Sequence, residues 1–137
     1  MSLNLDNVST AIYGSLSVDA GLVALGAEIY RNIAPEGVAM PYIVWNEIVI
    51  VPDNTFNNNY WSILYQFDCW AEKTTTKSAQ ALSAQVANAL CAAMDGASYT
   101  ITGYNHICNR YESQQVVYEV DIPAVKNIVE YRVIIGD

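Results

Sequence analysis

Residues 61 to 69 constrain this chain more than any other stretch. Trp61, Ile63, Tyr65, Phe67 and Cys69 fall on one side of a strict alternation, and Ser62, Gln66 and Asp68 on the other. Side chains alternate between the two faces of a strand, so this period of two predicts a strand with one face in a core and the other wet. The same logic applies near the C-terminus, where Val129, Tyr131, Val133 and Ile135 oppose Ile128, Glu130, Arg132 and Ile134. Tyr42 to Val51, dense in β-branched and aromatic residues after Pro41, reads as the first long strand. Tyr99 to Cys108 and Val116 to Ile122 read as further strands, with Val116, Tyr118, Val120 and Ile122 inward and Val117, Glu119 and Asp121 outward. Pro123 must interrupt the last of these, because proline cannot donate to a ladder.

Helical spacing appears twice. Leu5, Val8, Ile12 and Leu16 predict an amphipathic helix over residues 5 to 17, with Asn4 or Asp6 able to cap it. Asp19 can cap a short helical turn through Leu22 and Leu25, ended by Gly26, and Ala27 to Tyr30 follows as a short extended piece. The second main helix starts at a cap among Thr74, Thr75 and Thr76. Its buried stripe is Ala79, Leu82, Val86, Ala89, Leu90 and Ala93, and Gly96 ends it. Small alanine side chains let a helix settle closely onto a sheet. The expected fold is therefore α+β: a mixed, mainly antiparallel sheet with two main helices packed on one face, in the order α-β-β-α-β-β-β. Residues 1–137 are expected to form a single domain, since 137 residues suffice for one real core. Pro52 to Asn59 is too rich in asparagine to continue a strand and is expected to project as a loop.

Composition narrows the function. Hydrophobic residues make up 53% and charged residues 15%, which excludes a disordered chain. A net charge of −8 has the wrong sign for gripping nucleic-acid phosphates over a wide surface. The N-terminus has no basic stretch ahead of an apolar one, and the longest apolar run, Ala89 to Met94, is too short to span a bilayer; neither a signal peptide nor a membrane partner is expected. Three cysteines, Cys69, Cys91 and Cys108, form no C-x-x-C pair, which points away from disulfides and zinc and towards a reducing compartment such as cytoplasm. The fifteen aromatics, ten of them tyrosine, suit an interface protein.

Chemistry-bearing constellations are few. His106 is the sole histidine, and strand geometry puts Cys108 two residues on and on the same face, yet no third group orients the pair. Glu119 and Asp121 share a strand face as paired carboxylates would, but on the polar side, where solvated charge is the default. Gly21 and Gly26 have the gap of a phosphate loop, but Ala27 and Glu28 stand where lysine and a hydroxyl are required. The expectation is no enzyme, no cofactor and no metal, and instead a structural or interaction role. Within the loop, Phe56, Tyr60 and Trp61 are the candidates for contact area, an exposed phenyl in a polar loop gaining nothing without a partner; Trp61 fits a core position equally.

Asp19-Ala20-Gly21-Leu22-Val23-Ala24-Leu25, then Ile29-Tyr30, Ala34-Pro35 and Pro41-Tyr42-Ile43-Val44-Trp45, resemble the tail completion (tail terminator) proteins of long-tailed phages. Tyr65 to Ala71 before an alanine-rich helix, and Glu130-Tyr131-Arg132-Val133, are further matches, so the similarity spans nearly the whole chain. The segment Tyr111 to Asn127 departs from the family in length, which leaves the placement of the last two strands open. The resemblance implies a virion protein without an active site, assembled in the host cytoplasm: a ring, typically of six subunits, at the head-proximal end of the tail tube. Such a ring ends tube polymerisation and offers the surface to which a filled head binds. Its partners would be copies of itself, the tail tube protein and head connector proteins, with DNA only passing through the bore. Glu119, Asp121 and Glu130 are candidates for an acidic lining that repels DNA. Another neck or connector component, and a small cysteine-dependent enzyme using Cys108 and His106, are the alternatives.

Overall fold

The computed structural model describes residues 3–55, 57–119 and 123–137. Helix α1 (Leu5–Ser17) is capped by Asn4, whose side chain accepts from the Asn7 N–H at 3.3 Å. Asp19 caps the short α2 (Ala20–Ala24), and the chain leaves it through Gly26 at φ +71°, a left-handed conformation that glycine adopts without a Cβ penalty. Strands β1 (Glu28–Arg31), β2 (Tyr42–Asn54) and β3 (Asn59–Glu72) follow, then α3 (Ala79–Asp95), β4 (Thr100–Ile101), β5 (Tyr104–Tyr118) and β6 (Ala124–Gly136). The fold is α+β, with three helices and one six-stranded mixed sheet among the described residues, in spatial order β1-β2-β3-β6-β5-β4. Only β1 and β2 run parallel; the other neighbours are antiparallel.

The alternating residues of β3 and β6 form the floor of one core. Trp61 through Cys69 and Val129 through Ile135, taken every second residue, are buried together with Val8, Ile12 and Leu16 of α1, Leu22 of α2 and Val86, Leu90 and Met94 of α3. Trp45 lies at its centre, stacked on Phe67 at 6.0 Å between ring centroids and 14° between planes, and tilted against Tyr65 at 5.6 Å. The buried serine and asparagine side chains are paired, whereas the buried Trp45 Nε1 and Arg31 Nε have no partner among the described residues. Ser83 donates to the Cys69 carbonyl at 3.0 Å and accepts from Asn127 at 2.8 Å, while Asn127 accepts from Gln114 at 3.1 Å.

Several boundaries differ from the expected ones, each for a local reason. Ser78, not a threonine, caps α3, because Thr74 is consumed in a turn: its Oγ1 accepts from the Lys77 N–H at 3.0 Å. The buried stripe of α3 takes in Ser83, Ala87 and Met94, while Ala79, Ala89 and Ala93 are half-buried. β2 continues through Pro52 to Asn54, its pairing with β3 outweighing the poor strand propensity of that stretch, so the loop shrinks to a tight tip in which the Thr55 N–H donates to the Asn58 carbonyl. The segment read as two strands, Tyr99 to Cys108 and Val116 to Ile122, is instead the two-residue β4, a turn through Gly103 at φ +86°, and the single fifteen-residue β5. The final strand starts at Ala124 instead of Ile128. Val120 and Ile122, expected to point inward, lie outside the described residues.

Candidate assembly surface

The two longest strand edges of the sheet are open. β1 pairs only with Tyr42 to Trp45 of β2, so from Asn46 onward β2 has β3 on one side and no strand on the other among the described residues. β4 likewise covers only Tyr104 and Asn105 of β5. From Ile107 to Tyr118, β5 has β6 as its one strand partner among the described residues. The open run of β2 is apolar over Ile48 to Val51, and that of β5 interleaves apolar with polar residues. Ile48, Val49, Ile50 and Val51 are each between 41% and 49% exposed, and Ile107, Tyr111, Val116 and Tyr118 between 45% and 59%. Four consecutive β-branched residues on an open edge, with no lysine to blunt it, make a strong template for another strand.

Bulges sit on these same edges. The register slips between Glu47 and Val49 on β2, and between His106 and Cys108 and between Tyr111 and Ser113 on β5. Each extra residue reverses the in-out alternation beyond it and adds twist. One consequence corrects the expected Cys/His pair. His106 lies opposite Ile135 on the helix-covered face, whereas Cys108 lies opposite Ile134 on the bare face, because Ile107 is extruded between them. His106 is also fully engaged: its Nδ1 accepts from the Tyr99 N–H at 3.4 Å, which leaves Nε2 to carry the proton and donate to Asn109 Oδ1 at 2.9 Å. Asn109 in turn donates to Tyr99 Oη and to the Met94 carbonyl, and burial pushes the Tyr99 hydroxyl up to about 12. This is a structural histidine that ties β5 to the end of α3.

The cysteines have correspondingly ordinary settings. Cys69 is fully buried, and burial raises its thiol far above the usual range, while Cys108 is exposed. Brief treatment of the native protein with a mild alkylating agent is expected to label the exposed Cys108 and to leave the buried Cys69 unlabelled until the protein is unfolded, as read by peptide mass spectrometry. Labelling of Cys69 in the native protein as fast as that of Cys108 would contradict this assignment.

The remaining sequence candidates are dispersed. Trp61 is 4% exposed and edge-on to Tyr104 at 5.4 Å, so it is a core residue and offers little contact area. Tyr60, half-buried, lies on the bare face over Gly136, whose missing side chain makes room for the ring: a Cβ there would stand 2.9 Å from Tyr60 Cδ1. Phe56 and Asp121 lie outside the described residues. Glu130 is on the bare face of β6, level with Gln66 and Ser113. Glu119 sits six residues beyond Ser113, about 20 Å along the strand, and lines an open groove of about 330 Å³ with Lys73, Ser78 and Val125 beside the start of α3. The structure therefore does not bring Glu119 and Glu130 together.

The bare face itself is mixed in charge. Glu112 accepts from Arg132 at 3.0 Å and from Arg110 at 3.1 Å, and these two guanidinium groups hold its carboxyl below the usual range. Lys126 lies over the Trp70 ring at 5.0 Å. Asp68 and Glu130 make no ion pair among the described residues. No group of three potential metal ligands occurs among the described residues, and no helix there is long and apolar enough to cross a membrane.

Fold and surface together define an α+β protein whose sheet has, among the described residues, two long runs of strand left open, on β2 and on β5. The family model described as "Tail completion protein gp17" matches residues 10–136, and the chain belongs to that family. It is thus a phage tail structural protein and a component of the virion, from a family of structural proteins and not of enzymes. A chain of the structure titled "Virion of native gene transfer agent (GTA) particle" superposes with a TM-score of 0.83, covering 99% of this chain and 100% of that chain at 16% identity, a likeness of fold. No curated protein matches.

Proposed function

We propose that the chain is a tail terminator: one domain, residues 1–137, that assembles into a closed ring of six at the head-proximal end of the tail tube. The ring ends tube polymerisation and presents the surface on which the head docks. The observation that carries this reading is the family match over residues 10–136. The open β-branched run of β2, Ile48 to Val51, supports it, because such an edge is a liability unless the protein's working state covers it. No catalytic step belongs to this function, consistent with a histidine whose two ring nitrogens are already bonded within the fold.

In such a ring the helices lie outside and the bare sheet face turns to the bore, since that face carries the charged and polar alternation. Glu130, with Asp68 one row of the face away, then lines the passage taken by DNA, and Glu119 lies towards one rim. The net charge of −8 per subunit keeps DNA from adhering in transit. Head connector proteins meet one rim and the tail tube protein the other.

The test is polymerisation of the cognate tail tube protein with and without this chain. Tubes of limited length, capped at one end by added protein, are the expected result. Tubes that grow equally long in the presence of a molar excess would overturn the reading, and binding to the portal-side ring with no binding to tubes would replace it by that of another neck component.

A further inference from the structure

Resting on the ring reading, we propose that the subunits of this ring are joined edge to edge, the open run of β2 in one copy pairing antiparallel with the open run of β5 in the next, so that the sheets close into one continuous barrel. Strand polarity is the first argument. β2, β3, β6 and β5 alternate in direction, so β2 and β5 run opposite ways at the two sides of one sheet. Rotation about an axis running along the strands preserves direction. It therefore brings β5 of the next copy beside β2 in the antiparallel sense, and the alternation continues unbroken around the ring.

The two edges are also open at the same level. Val51, Ser62, Ile134 and Cys108 form one continuous row across the bare face, and Val49, Leu64, Arg132 and Arg110 form another. β1 covers β2 only below these rows and β4 covers β5 only above them, so the runs left uncovered on both edges at one level are Asn46 to Pro52 of β2 and His106 to Ser113 of β5. The bulges at Ile48, Ile107 and Glu112 supply the added twist that a curved sheet needs to close. A second copy is therefore the occupant of each edge, because one chain carries both complementary halves of a head-to-tail junction.

Cross-linking reads the junction directly. Barrel closure staggers neighbouring strands by a number of residues that keeps the faces in register, so single cysteines are placed in turn at the bare-face positions Asn46, Val49, Val51 and Asp53. The native Cys108 is the partner thiol, and the background carries Cys91→Ala. The expected result is that one or two adjacent positions give, on mild oxidation of the assembled ring, a ladder of multimers up to the closed ring. Cys108→Ser abolishes it. Ile50→Lys is expected to weaken ring assembly roughly tenfold or more by placing a charge on the edge, with the circular dichroism and melting of the monomer unchanged. Rings that form and cap tubes but give no ladder at any of the four positions would overturn the junction and leave the tail-terminator reading standing. Cross-linked dimers that persist with Cys108→Ser would overturn it in favour of pairing between two β2 edges. Failure to form rings even with tail tubes present would overturn both.

Discussion

Trp45→Ala is expected to cost about 3–5 kcal/mol of folding stability, the range for truncating a large buried aromatic. Trp45 has no exposed surface, stacks on Phe67, leans on Tyr65 and carries the Arg31 guanidinium 5.9 Å above its ring. Arg31 in turn bonds Asp6 at 3.0 Å and Glu47 at 2.8 Å, so the cavity would open where α1, β1 and β2 meet. The loss should appear as a lower midpoint in urea denaturation with the slope unchanged. Trp45→Phe should lose less, because it keeps a stacked ring. A loss below about 1 kcal/mol for the alanine variant would mean that the core is not organised around this side chain. Trp45 is also the last residue of β2 covered by β1, so its loss would loosen the strand at the point where the open edge begins.

Gly136→Ala is expected to cost roughly 1–3 kcal/mol, as overpacking does in a closed site. The added Cβ would lie 2.9 Å from Tyr60 Cδ1, 3.0 Å from Cε1 and 3.5 Å from the Ile107 methyl. The ring has little room to retreat, because Tyr60 is paired across the strand with Gly136 and the Asn58 side chain donates to its hydroxyl at 3.3 Å. Combining Gly136→Ala with Tyr60→Ser should recover most of the loss, and a double-mutant cycle with a coupling near zero would show that the two do not touch. The same end of the sheet is tied by Asn59, whose backbone and side-chain amides both donate to the Asp137 carboxylate. This variant therefore tests a rim of the proposed ring independently of its strand edges.

What the sequence made legible follows from where the alternation is unbroken. β3 and β6 are central strands without bulges, covered by helices on one face, so hydrophobic and polar residues alternate along them as the pleat demands. The phase of Trp61 to Cys69 and of Ile128 to Ile135 could be read directly. β5 could not, because the slips at Ile107 and Glu112 reverse the phase twice within fifteen residues and leave Asn109 to Gln115 with no visible period. For the same reason His106 and Cys108 looked like neighbours on one face. The asparagine-rich end of β2 is strand only because β3 lies beside it, a tertiary fact that local propensity does not contain. The candidate surface was the least legible part. Ile48 to Val51 reads as an ordinary buried strand until the short reach of β1 is known, so contact was sought in the loop tip and at Trp61, which the fold places in the core.

Native mass spectrometry of the purified protein over a range of concentrations, alone and with tail tubes, followed by negative-stain imaging of the large species, tests the central claim most directly. The account predicts one closed species whose mass is a fixed multiple of the chain, six copies, imaged as a ring with a central hole. A strict monomer under every condition, with tubes included, would contradict it.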